Sequence, residues 1–151
     1  MLTGLLHSHN LLRYLIIIFG VWALIKLYQS KKNRLPLGNK ERKPAFILMI
    51  LMDIQLLFGL LLFYFNHYID KLSKLSYAEW DFKSKFFLRE HVPMMIVALI
   101  LLHIGYSATK KPNLSDAKKY KKVLTYYILA YIIIIASIPW PIRNVGVGWM
   151  P

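Results

Sequence analysis

Apolar residues gather along this chain in four blocks, 11–25, 44–66, 92–108 and 123–139, each nearly free of charge. Once slightly polar ends are included, each block approaches the ~20 residues a helix needs to cross a hydrocarbon layer of ~30 Å. Backbone groups in lipid must pair within their own segment, so each block predicts a helix. The pattern therefore predicts an all-α integral membrane protein of four spans, with residues 1–151 forming one domain. Short connections between consecutive spans predict an antiparallel, up-down-up-down bundle in which the first and third spans run parallel on a diagonal.

Local signals set the expected ends. Thr3 is placed to cap a first helix running to about Tyr28, and Lys26 with "SKKNR" after the apolar run marks a retained helix rather than a cleaved leader. Pro44 suits the first position of a second helix ending near His67. "SYAE" (Ser76 to Glu79) has capping-box spacing, and "FKSKFFLRE" is amphipathic and Phe-rich; together they predict a short interfacial helix before the third span. Pro93 predicts a kink or a fresh helical start. Ser115 is the expected N-cap of the fourth helix, which Pro139 and Pro141 would end. Trp140 and Trp149 suit one membrane interface and Trp22 the other.

Charge then gives the bundle a direction. The net charge of +13 is concentrated in two stretches: residues 26–43 carry Lys26, Lys31, Lys32, Arg34, Lys40, Arg42 and Lys43 against Glu41 alone, and 108–122 carry Lys110, Lys111, Lys118, Lys119, Lys121 and Lys122 against Asp116. Basic loops stay on the cytoplasmic side, which predicts both termini outside. The expected partner of these loops is the lipid bilayer with its anionic headgroups, and not nucleic acid. With no cysteine, disulfides, Cys-ligated clusters and covalent c-type haem are excluded, so a metal or haem would be held by His, Met, Tyr or carboxylate. No phosphate loop, nucleophile elbow or H-E-x-x-H is present, and hydrolase chemistry finds no support.

This topology puts four histidines, His7, His9, His67 and His91, at one membrane face, and His103 ~18 Å deeper along the third span. Rings at helix ends are common without any function, because amphipathic groups favour interfaces. His9 and His91 are the pair best placed to face each other at equal depth, as two axial ligands of one haem b would. Arg13, one turn after His9, and Arg89 suit carboxylates such as haem propionates. The same imidazoles, with His7 and His67, are an alternative set for a transition metal. Asp53, with Gln55 nearby, is expected to reach the depth of His103, where a lone carboxylate costs ~2.5–3.5 kcal/mol and needs a partner. Such a pair is either a structural hydrogen bond between helices or a polar element of a quinone or proton site. Gly20 and Gly59 suit close approach of helices or of a porphyrin edge.

The segments "LLHSHNLLRYLII", "DIQLLFGLLLFY", "REHVPMMIVALILLHIGYSATKK" and "IPWP", in that order, resemble a group of small bacterial four-helix membrane proteins labelled cytochrome b-like. The matching positions are His9, Arg13, Gln55, Gly59, Glu90, His91 and His103. The resemblance implies an electron-transfer role with a b-type haem or a quinone, in a bacterial inner membrane, with N- and C-termini periplasmic. Membrane-complex subunits, respiratory ones included, or a homo-oligomer would be its partners. The chain departs from di-haem cytochromes b, because His91 and His103 lie twelve residues apart and His103 has no histidine opposite it; at most one haem, between the first and third spans, is expected. A cofactor-free structural or assembly subunit is the alternative from another class.

Overall fold

The computed structural model describes residues 2–145. Its helices are α1 (Leu2–Lys32), α2 (Asn39–Phe65), α3 (Tyr68–Lys74), α4 (Phe82–Phe86), α5 (Val92–Ala108) and α6 (Asp116–Ser137). A 3-10 turn, Tyr77–Glu79, precedes α4, and a π turn, Phe87–His91, joins α4 to α5. Four stretches are long and apolar enough to cross a membrane: Leu2–Lys32, Asn39–Phe65, Phe82–Ala108 and Asp116–Ser137. Among the described residues there is no strand.

The neighbouring pairs are α1–α2, α2–α5, α5–α6 and α6–α1, so α1 and α5 stand on a diagonal as the short connections predict. Successive spans run antiparallel. One end of the bundle gathers the start of α1, the end of α2, the π turn and the end of α6, and carries His9 and His91. The other end carries the two basic loops. The largest fully buried side chains, Leu27, Leu48, Leu102, Tyr120, Val123 and Tyr127, lie in the basic half. Tight packing is thus concentrated away from the histidines.

Close approach between α1 and α6 depends on Gly20. A Cβ built there would lie 2.2 Å from Cε2 of Tyr131, well inside any real contact. The Tyr131 hydroxyl donates to the Ile17 carbonyl at 2.8 Å, which fixes the ring over the glycine. Gly105 makes the corresponding gap for Tyr127, whose hydroxyl crosses the core to the Ala45 carbonyl at 2.9 Å.

Several expected ends are corrected. Thr3 lies inside α1, and α1 continues past Tyr28 to Lys32. Pro44 lies inside α2 rather than at its start. The Glu41 carboxylate accepts from the Gly38 backbone N–H at 3.1 Å and starts the helix there. Proline is tolerated because the carbonyl it leaves without a partner belongs to Lys40, in the exposed first turn. His67 falls outside α2, in the left-handed region at φ 56°. The Ser76–Glu79 capping box closes only the 3-10 turn, and the helix begins at Phe82, where the Asp81 side chain accepts from the Ser84 N–H at 2.8 Å. "FKSKFFLRE" forms α4 and most of the π turn and runs directly into α5 as the first part of the third long stretch, and a further short helix, α3, precedes it. Ser115 and the proline stop near Pro139 frame α6 as expected. Trp149 lies outside the described residues.

The connection from α3 to α4 is held by a small polar network. Lys71 Nζ donates to Asp81 Oδ2 at 2.9 Å and to Ser84 Oγ at 2.6 Å, and the Trp80 indole donates to the Lys71 carbonyl at 3.2 Å. Hydrogen bonds from Lys71 and Ser84 hold the Asp81 carboxyl well below the usual carboxylate range. Burial, with the Asp81 charge nearby, pushes the Tyr68 phenol up to about 12, so it stays a neutral donor.

Two outcomes follow. Gly20→Ala should lower stability by ~1–3 kcal/mol through overpacking, and much less in a Tyr131→Ala background; thermal unfolding in detergent of the two single variants and the double variant reads the coupling. A carboxylate whose folded pKa is depressed stabilises above its unfolded pKa of ~3.9 and loses that contribution as pH falls toward the folded value. Asp81→Asn should therefore raise amide exchange in residues 68–86 near neutral pH, while the wild-type connection keeps its protection down to about pH 4.

Candidate functional site

The histidine half of the bundle holds a partly open cavity of about 330 Å³ among α1, α2, α5 and α6, with Tyr68 of α3 in its lining. Its wall is mostly leucine, isoleucine and phenylalanine. One group of polar side chains enters from His9, Asn10 and Arg13 of α1, Gln55 of α2 and His91 of the π turn, and His7, Asn66 and Lys83 line the cavity as well. Tyr68 packs between Phe63 and Phe87, with ring centroids 5.6 and 6.2 Å away. A mostly apolar concave site of this size with a few convergent polar groups is the usual form of a small-molecule or cofactor site.

Each of these side chains has a local cause. His9, Asn10 and Arg13 share one face of α1 because i, i+3 and i+4 positions stack on a helix. Asn10 and Arg13 are buried, at 8% and 5% exposure. The Arg13 Nη2 donates to the Tyr14 hydroxyl at 3.0 Å. Gln55 Nε2 donates to the His9 carbonyl at 3.0 Å, which locks α1 and α2 at the same level. The His9 ring packs against Gly59, where a Cβ would lie 3.4 Å from His9 Cε1, an ordinary van der Waals contact.

His91 owes its position to the π turn. Pro93 has no N–H to offer the Arg89 carbonyl and its ring crowds that carbonyl, so the turn just before it widens. His91 ends the widened turn, beside Phe86 and Phe87 at ring-centroid distances of 6.2 and 5.4 Å. Its Nδ1 lies 2.8 Å from the Ser137 carbonyl. A carbonyl only accepts, so Nδ1 carries the proton and a neutral His91 keeps its Nε2 lone pair. Arg143 reinforces this level, donating to Glu90 at 3.1 Å and to the Ala136 carbonyl at 2.6 Å.

The His9 and His91 ring centroids are 6.4 Å apart, at an interplanar angle of 69°. Two imidazoles on opposite sides of one metal, each nitrogen ~2 Å from it, hold their centroids ~6 Å apart. The donor set and its separation therefore fit a bis-imidazole haem. His9 Nδ1 and Gln55 Oε1 are both buried with no hydrogen-bond partner among the described residues, the condition of a site that a ligand completes.

The other expected residues lie elsewhere. Arg89 is exposed and stacks over Tyr77, with its guanidinium carbon 4.8 Å from the ring centroid, and does not line the cavity. His7 reaches the cavity wall from an exposed position. His67 is exposed and pairs with Asp70 at 3.3 Å. Among the described residues no three His, Asp or Glu side chains converge as a metal site. Asp53 and His103 are neighbours, as their depths predict, with His103 Nε2 3.5 Å from Asp53 Oδ1. They form a separate pair on the α2–α5 seam, partly exposed on the outside of the bundle at 35% and 47%. His103 Nδ1 lies 3.0 Å from the Leu99 carbonyl and so donates to it, which leaves the bond between Nε2 and Asp53 Oδ1 to a further proton on the ring or on the carboxyl. Sequence reasoning missed Asn10, although its i, i+3 spacing from Arg13 was readable, and missed the Ser137 carbonyl, which only tertiary structure reveals.

A double-mutant cycle with Asp53→Asn and His103→Gln should give a coupling of ~0.5–1 kcal/mol in thermal unfolding, typical of interhelical hydrogen bonds in membranes. Additive effects would show that the two side chains do not interact. Comparison of the chain with protein-family models, with curated proteins and with solved structures finds no match, so any functional conclusion draws on the geometry above and on the motif resemblance.

Proposed function

We propose that this protein is a small electron carrier of a bacterial inner membrane, holding one b-type haem between His9 and His91. The observation that carries the reading is the facing pair of imidazoles, 6.4 Å apart at the level of an apolar cavity, with His91 Nδ1 tied to the Ser137 carbonyl. That backbone bond selects the tautomer whose Nε2 is free to ligate, the outer-shell arrangement common to metal-bound histidines. The bound haem would supply one-electron transfer. Arg13, buried beside the site, would offset propionate charge, and the apolar wall would exclude water. The charge pattern supports a multi-pass topology with basic loops in the cytoplasm and both termini periplasmic, which puts the cavity in the periplasmic half and α3 at that interface.

A second reading has its own support. Asn10 and Arg13 carry N–H donors suited to a quinone carbonyl, and the buried, unpartnered Gln55 Oε1 would accept from the hydroxyl of the reduced quinol. In that case the cavity itself is the quinone site and the protein acts as a redox subunit of a larger membrane complex. A cofactor-free assembly subunit is the remaining alternative.

Difference spectra of protein expressed with ample haem separate these readings. The haem reading expects a reduced b-type α-band at about one haem per chain, abolished by His91→Ala and by His9→Ala. A colourless protein whose melting point rises with added ubiquinone, and no longer does so after Gln55→Leu, supports the quinone site and overturns the haem. Absence of both responses leaves the assembly subunit.

A further inference from the structure

A second concave site lies at the opposite end of the bundle. It is a groove of about 220 Å³ at the α2–α5 seam, lined by Asn39, Arg42, Lys43 and Phe46 of α2 and by Tyr106 of α5. Phe46 and Tyr106 form its floor, with ring centroids 5.6 Å apart. Lys110 stands over the Tyr106 ring, its ammonium 4.6 Å from the ring centroid. The groove therefore presents three cations over an aromatic floor.

The nearby charges leave that cationic character largely in place. The one acidic side chain on this turn, Glu41, is committed to the Gly38 N–H that starts α2. Arg42 is oriented by a hydrogen bond from Nη2 to the Asn39 side-chain oxygen, which positions its guanidinium at the groove. Guanidinium matches a phosphate with two parallel hydrogen bonds, and lysine adds a point charge.

The surface beyond the floor indicates what else the ligand must carry. The α2–α5 seam is packed more loosely than α1–α2 or α5–α6. From Phe46 its outer flanks continue as exposed apolar side chains, Ile50 and Ile54 on α2 and Ile104 and Ile100 on α5, around the partly exposed Asp53–His103 pair. An inorganic phosphate would use the cations and leave this strip bare. A lipid would use both.

We infer that the groove formed by Arg42, Lys43 and Lys110 over Phe46 and Tyr106 is a binding site for one anionic phospholipid of the surrounding bilayer, with its phosphate on the cations and an acyl chain along the α2–α5 seam. This differs from general attraction between basic loops and an anionic membrane, because it assigns one lipid to one place. It is independent of any cofactor in the histidine half.

Native mass spectrometry tests it on the full chain, reconstituted in phosphatidylcholine containing phosphatidylglycerol and then delipidated in steps. The wild type should retain one phosphatidylglycerol in preference to phosphatidylcholine. Arg42→Gln/Lys43→Gln/Lys110→Gln should lose that lipid at least ten-fold more readily. Lys118→Gln/Lys121→Gln/Lys122→Gln, which removes the same charge from exposed positions outside the groove, should retain it. Should the groove triple variant not fold, Arg42→Lys alone, keeping charge but losing the planar fork, should weaken retention at least three-fold. Equal loss from both triple variants would reduce the effect to diffuse attraction and overturn the site. So would retention of the two lipids alike, an unaffected Arg42→Lys, or displacement of the bound lipid by millimolar inorganic phosphate.

Discussion

Helices surrounded by hydrocarbon gain little by hiding apolar side chains from one another, because lipid tails are as apolar as leucine. What holds such a bundle is close packing and the hydrogen bonds that cross between helices. Here four of those crossings share one form: a side chain donates to a main-chain carbonyl of another element. Gln55 reaches His9, Tyr131 reaches Ile17, Tyr127 reaches Ala45 across the core, and His91 reaches Ser137. Helical carbonyls have a second lone pair to offer, so each crossing adds an interhelical tie without breaking a backbone bond. The glycines at 20 and 105 exist in the same scheme, since both make room for a tyrosine whose hydroxyl makes one of these ties.

The two halves of the bundle differ in what fills them, since the ties occur in both. Tyr120, Tyr127 and the leucines around them fill the basic half. In the histidine half, large aromatic rings sit at the rim, on Tyr68, Phe63 and Phe87, and the interior between them is left as cavity. Dense packing at one end and space at the other would let the proposed haem or quinone be held without loosening the fold.

The spans, their antiparallel order and the diagonal placement of the first and third were legible in the sequence, because length and apolarity alone dictate them in lipid. The levels of His9, His91, Gln55, Asp53 and His103 were legible for the same reason: a fixed rise per residue converts position into depth. Direction around the helix axis was not. Arg89 has the right depth and turns outward to Tyr77, because the π turn shifts its phase. Helix ends were misjudged where two signals competed. Pro44 gave a strong start signal, yet Gly38 and Glu41 had already begun α2. The Ser76 capping box spent itself on one turn, while Asp81 did the capping.

The π turn also bears on how this chain tolerates length changes. Phe87–His91 contains one residue more than a regular helix would place there, so α4 and α5 are two helices in different rotational phase joined end to end. The face that α4 turns toward the α3 connection and the face that α5 turns toward α6 each keep a regular period, but the two periods do not agree. Removing any single residue between Phe87 and His91 would restore a continuous helix and swing everything before it by ~100° relative to α5. A chain of the same composition, length within one residue and hydropathy profile would then turn a different set of α4 side chains inward, and Phe86 would no longer flank the His91 ring.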